Sequence, residues 1–238
     1  MCTFSFIPRS GGFWLAMNRD EQRTRPPALP PEVVQAGIRR FLAPREADGG
    51  TWIAANDAGL ALVLLNGYEV PPRVPPRVIG RGVILPRLAA AGSLRSLVAG
   101  VEDLPLRRFR PFRLRGFSLR ERQSAAWTWD GLSLRRSLHG WTRAHGFSSG
   151  FDEPAAQAAR AAVCARTPVA RRADLHRLHA SHEHGPGPFS ICMHREDAAT
   201  VSFTAVTATP GGLEMTYHNG PPCSPGPVSR LRLPWAAP

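Results

Sequence analysis

The chain opens on a strict alternation. Cys2, Phe4 and Phe6 fall on one side and Thr3, Ser5 and Ile7 on the other, the two-residue period of a strand. Pro8-Arg9-Ser10-Gly11-Gly12 supplies a turn, and Phe13-Trp14-Leu15-Ala16-Met17 reads as the returning strand. That hairpin carries Asn18-Arg19-Asp20-Glu21 back towards the start of the chain. A proline-rich loop is expected over 26–31. Thr51-Trp52-Ile53-Ala54-Ala55 and Leu60-Ala61-Leu62-Val63-Leu64-Leu65 form a second apolar pair, joined by turn residues Asn56-Asp57-Ala58-Gly59.

Beyond an extended stretch at 71–76 the period changes. Two short helices fit between Gly82 and Val101, the second capped by Ser93. Strands return over 112–136, with Asp130-Gly131 as a hairpin turn. Residues 154–164 are alanine-rich and helical, with Pro154 in the first turn, and a further helix is expected over 174–180. Closing strands are expected over 189–193, 199–206 and 213–217, with Gly211-Gly212 turning the last pair. No repeat or compositional break divides the chain. The pattern predicts one α+β domain over 1–238, with antiparallel sheet first and last and helices between.

Composition changes this picture little. At 238 residues and 43% hydrophobic, the chain can bury a substantial core. The net charge of +12 invites a nucleic-acid partner. The basic residues are all arginine, however, scattered and without a zinc-finger, RNP or helix-turn-helix pattern, so no nucleic-acid partner is expected. No run of about 18 apolar residues offers a membrane span, and no secretory signal is evident. Cys2, Cys164, Cys192 and Cys223 are far apart and form no CxxC pair. They make neither a disulfide framework nor a zinc motif, and a reducing cytoplasm is the expected home.

Cys2 is the chemically arresting residue, because it follows the initiator methionine. Removal of Met1 would leave a thiol and a free α-amine on one residue. The amine's ordinary pKa of about 7.7–8.0 lies near the thiol's, about 8.5, so the amine can serve as the thiol's own base. The plainer alternative is a small half-buried strand residue, the commoner fate of a cysteine.

Met1-Cys2-Thr3-Phe4, Asn18-Arg19-Asp20-Glu21, Gly49-Gly50-Thr51-Trp52-Ile53, Gly59-Leu60-Ala61-Leu62 leading to Asn66, Arg81-Gly82 and Ser148-Ser149-Gly150 occur in that order. Together they resemble the NRDE family, that of transport and Golgi organisation protein 2, whose name is the tetrapeptide at 18–21. The run Gly187-Pro188-Phe189-Ser190-Ile191-Cys192-Met193-His194-Arg195 is similar to bacterial members. The resemblance implies an αββα sandwich of two antiparallel sheets between helical layers, and distant kinship with N-terminal-nucleophile hydrolases that cleave non-peptide amides. It further implies Cys2 as nucleophile, Arg19 as a cation favouring its thiolate, Asp20 as the group holding the α-amine, and Asn66 as an oxyanion donor. Asn18, Glu21, Ser149 and Arg195 are the expected substrate contacts, with Glu21 an alternative to Asp20 and Cys192 to Arg195. The implied substrate is a small acyl amide or thioester, handled without a cofactor or metal.

His176, His179, His182 and His184, with His194 beyond, support another reading. His176 and His179 share a helix face and offer imidazoles to a metal or haem. Family members are linked to haem handling, so a non-catalytic carrier of haem or an acyl lipid, using the same pocket, is the alternative.

Overall fold

In a computed structural model, residues 2–68 and 78–237 are described. The opening hairpin is longer than its apolar core suggests: β1 spans Cys2–Arg9 and β2 Gly12–Gln22, so the segment 18–21 is itself strand. A second hairpin follows, β3 (Leu29–Ala36) and β4 (Arg39–Arg45). β3 starts inside the expected proline loop. Pro30 and Pro31 are tolerated because β3 is an edge strand, and its register with β4 slips between Leu29 and Glu32. β5 (Ile53–Asn56) and β6 (Leu60–Asn66) form the expected pair, with Gly59 at φ +87° in the turn. The expected loop at 71–76 lies within 69–77, outside the described residues.

Helices α1 (Ile84–Leu88) and α2 (Leu94–Glu102) occupy the predicted stretch. Ser93 caps α2 through a reciprocal bond with Ser96. Then come β7 (Phe112–Ser118), β8 (Gln123–Trp129), β9 (Leu134–Gly140) and β10 (Ala144–Ser148). Asp130 closes the β8–β9 turn by accepting from the Leu132 and Ser133 main-chain N–H groups at 2.9 and 2.8 Å. Helices α3 (Glu153–Arg166) and α4 (Arg172–His179) precede β11 (Ala198–Thr209), β12 (Gly212–His218) and β13 (Val228–Leu233).

The strand expected at 189–193 does not form. Residues 180–197 instead fold back on themselves: Ser181 O accepts from Cys192 N at 3.1 Å and Pro186 O from His194 N at 2.8 Å. These local bonds use main-chain donors that a sheet ladder would need. Sequence reading also passed over β4, β10 and β13, short strands of mixed polarity.

The strands form two antiparallel sheets. One has the order β10-β1-β2-β11-β12-β13, joining the two ends of the chain; the other is a consecutive meander from β3 to β9. They pack face to face through Phe4, Phe6, Leu15 and Met17 of the first and Leu42, Ile53, Val63 and Phe117 of the second. Phe6 stacks on Phe117 with ring centroids 4.0 Å apart. α1 and α2 cover the outer face of the meander through Leu85, Leu88, Leu97 and Val101. α3 and α4 cover the other sheet, where Leu175 meets Ile7 and Phe203. The result is the αββα sandwich. The alternation at the N-terminus is kept: Cys2, Phe4 and Phe6 face the opposing sheet, whereas Thr3 and Ser5 face the helices, bonded to Arg160 and His179. Among the described residues no helix is long and apolar enough to cross a membrane.

Candidate functional site

Cys2 begins β1, and its antiparallel register sets it directly opposite Arg19 of β2 and Ser148 of β10. Opposed residues in neighbouring strands project to the same face. Cys2 and Arg19 therefore share a cavity of about 510 Å³, walled by β2, the end of β6 and the loops around Gly50 and Gly82. That volume suits a small molecule. Asp20, Glu21, Glu46, Trp52, Asn66 and Arg81 also line it. A cleft of about 590 Å³ elsewhere holds Glu214 ringed by Arg172, Arg230 and Arg232. It carries three arginines against that one carboxylate and, among the described residues, no cysteine, so the nucleophile chemistry points to the cavity at Cys2.

Arg19 is not a free cation. It pairs with Glu46 and, at 3.2 Å, with Glu21, while its guanidinium lies 4.6 Å from the centre of the Trp52 ring. Arg25 reaches the same Glu46 at 2.9 Å. The Arg19 charge is therefore shared with two carboxylates rather than directed at the sulfur alone. Burial pushes the Cys2 thiol up from its ordinary value and the Asp20 carboxylate adds to the rise; the amino-terminal charge leads the opposition, followed by the Asp20 main-chain N–H bonded to the sulfur and then Arg19. The net balance keeps Cys2 as the neutral thiol, which a base must deprotonate, with a backbone donor acting beside the cation expected from sequence to favour the thiolate.

Asp20 is anchored from the helical side. Its carboxylate accepts from Thr200 Oγ1 at 2.7 Å and lies 3.6 Å from Arg160, a guanidinium with no exposed surface. Arg160 comes from α3 and also donates to Thr3 Oγ1 at 3.1 Å and Pro188 O at 3.0 Å. Burial raises the Asp20 pKa, and Arg160 is the leading force against it. The β11 register opposite Arg19 and Asp20 carries a bulge between Thr200 and Ser202. Such an extra residue re-aims side chains, and here Thr200 bonds Asp20. Asn66 ends β6 and donates to the Tyr68 hydroxyl at 2.7 Å across the cavity rim.

The remaining expected contacts separate. Glu21 lies in the cavity, but Asn18 faces α4, with its amide donating to His179 O and Ile191 O, both at 2.9 Å. Ser149 sits before α3 and donates to Phe151 O at 2.7 Å. Arg195 pairs with Asp197 at 2.8 Å and packs over Phe151. Neither Ser149 nor Arg195 is among the described residues lining the cavity. Glu46, Trp52, Arg81, Arg160 and Thr200 received no role from sequence. Trp52 and Arg81 stood inside segments that carried the family resemblance, whereas Arg160 stood in an alanine-rich helix with no motif to mark it.

The histidines also divide. His179 is fully buried, with both ring nitrogens 3.0 Å from partners, Asn18 Oδ1 and Ser5 Oγ. His176 meets Phe203 edge to face. His182 and His194 instead approach Cys192 and Cys223. No histidine is among the described residues lining the cavity at Cys2.

Two antiparallel sheets between helical layers, with the chain start at the cavity, define the N-terminal-nucleophile hydrolase fold. Penicillin V acylase from Agrobacterium tumefaciens superposes with a TM-score of 0.54 at 14% identity, over 98% of this chain and 86% of that one. A C2A mutant of conjugated bile acid hydrolase from Clostridium perfringens gives 0.49 at 9% identity, over 98% and 97%. The chain itself belongs to the Transport and Golgi organisation 2 family, which matches residues 1–165. No protein of curated function matches it in sequence.

Proposed function

We propose that the protein is an N-terminal cysteine hydrolase of a small acyl amide or thioester, acting once Met1 has been removed. One observation supports this above all: Cys2 lines a polar cleft of small-molecule size while the Asp20 main-chain N–H bonds its sulfur. In the proposed reaction the α-amine takes the thiol proton and the sulfur attacks the acyl carbon, forming a C–S bond. The oxyanion accepts from the Asn66 amide, which exchanges its bond to Tyr68 for one to substrate. Collapse breaks the bond to the leaving amine or thiol, which departs with the proton from the α-ammonium. Water then hydrolyses the acyl-enzyme, releasing a carboxylic acid and restoring the thiol. Trp52 and Leu64 offer the acyl group an apolar wall, and Arg81 a cation for a polar end.

The test is a panel of acyl amides and acyl thioesters, run on protein whose intact mass shows loss of Met1. Turnover should accompany an acyl adduct on Cys2 and vanish in Cys2→Ala. Asn66→Ala should lower kcat by about 10²–10³, as for other oxyanion donors. Absence of any Cys2-dependent turnover or adduct, beside a saturable haemin Soret shift that survives Cys2→Ala, would replace this reading with the haem carrier.

A further inference from the structure

Four side chains that are scattered in sequence meet beside the catalytic cavity without lining it. The ligand atoms of His182, Cys192, His194 and Cys223 all lie within 4.8 Å of one another. His194 Nε2 is 3.6 Å from Cys192 Sγ and 3.2 Å from Cys223 Sγ. The His182 and His194 rings are 5.0 Å apart, and the buried His182 Nδ1 has no hydrogen-bond partner. We infer that these residues form a structural Zn²⁺ site.

The geometry fits that ion. With Zn–S near 2.3 Å and Zn–N near 2.0–2.1 Å, the edges of a tetrahedron are about 3.3–3.8 Å. The His194–Cys192 separation falls there, the His194–Cys223 one lies just below it, and the rest, none above 4.8 Å, need a contraction of at most about 1–1.5 Å. Two sulfurs and two imidazoles in a tetrahedral arrangement select Zn²⁺ over the hard, oxygen-seeking cations. Two thiolates also neutralise its charge. Binding displaces one proton from each thiol to solvent, with no change of oxidation state. All four positions are filled by protein, the mark of a structural rather than a catalytic zinc.

The location explains what the ion does. Residues 180–197 and 219–227 are both irregular; the first is anchored by buried Ile191 and Met193, whereas the second places no apolar side chain in a core cluster. His182, Cys192 and His194 come from the first loop and Cys223 from the second, so one ion ties them together. Exposed Cys223 gives the ion a way in. The clamp also reaches the cavity: Met193 N donates to Thr200 Oγ1 at 2.9 Å, and Thr200 holds Asp20. This inference stands apart from the hydrolase reading, since it concerns the order of the loops and not turnover.

The experiment uses the full chain, reduced and freed of metal by chelator, titrated with Zn²⁺ and separately with Co²⁺. One equivalent should bind. Co²⁺ should give thiolate charge-transfer and strong tetrahedral d–d bands, which Zn²⁺ abolishes. Hydrogen exchange should slow in both loops. Cys223→Ser, a surface change that leaves the core intact, should weaken Zn²⁺ by more than the roughly 10–100-fold typical of losing an outer-shell partner. Cys164→Ser, which removes a thiol that is not among the four ligands, should bind as the unmodified chain does. No stoichiometric binding by the reduced protein, or binding unaffected by both Cys223→Ser and His182→Ala, would overturn the site. So would a Cys192–Cys223 disulfide that persists under reductant with Zn²⁺ present.

Discussion

His179 makes a sharp prediction because its neutral form is built into the packing between α4 and the first sheet. It is fully buried, and its pKa is pushed down to about 3, chiefly by burial and then by His145 and His176. In the unfolded chain the same imidazole titrates near 6.5. Between those values the unfolded state binds a proton that the folded state refuses, so stability rises with pH and is lost as pH falls below about 6.5. At about 1.4 kcal/mol per unit, moving from pH 7 to pH 5 should cost about 2 kcal/mol from this residue alone. Asp20, raised by burial, acts in the opposite sense, so the comparison must be made between variants. His179→Gln keeps a polar group near Asn18 and Ser5 but cannot titrate. Urea unfolding at pH 7, 6 and 5, with m-values checked for constancy, should show a shallower acid loss in the variant by that about 2 kcal/mol. Parallel pH dependences in the two proteins would refute the reasoning, since the acid sensitivity would then arise elsewhere.

Gly82 predicts a packing failure at the cavity wall. A methyl carbon there would lie 2.8 Å from Gly50 Cα, and Thr51 N bonds Gly82 O at 3.0 Å. Gly82→Ala should cost about 1–3 kcal/mol in urea unfolding, whereas Gly187→Ala, with nothing within 4 Å of the new carbon, should be neutral; equal stability of the two would remove the argument. Thiol reactivity gives another check. In metal-free protein exposed Cys223 should alkylate first, and Cys2 should gain rate with pH. Cys164, pushed up to about 12 by burial, should react only on unfolding. Peptide mapping after timed iodoacetamide treatment reads the order, and early labelling of Cys164 would contradict it.

Much of the framework is written locally. Alternation at 2–7 fixes which face of β1 meets the other sheet, because a strand's side chains have a period of two and a one-residue slip would bury Thr3 and Ser5 among Phe rings. Ser93, Asp130-Gly131 and Gly59 set their cap and turns by backbone chemistry that needs no distant partner. The opposition of Cys2 and Arg19 follows from one hairpin, so the nearness of the two segments was legible in sequence, while their roles came from the family resemblance. Tertiary structure decided what those residues feel. Glu46, twenty-seven residues from Arg19, offsets its charge, and Arg160 crosses from α3 to Asp20. Burial and charge compensation depend on which segments meet in space, and no window of sequence contains them. The same holds for His182, Cys192, His194 and Cys223: no short spacing announces the cluster, because two loops bring it together only after β11 and β12 have paired.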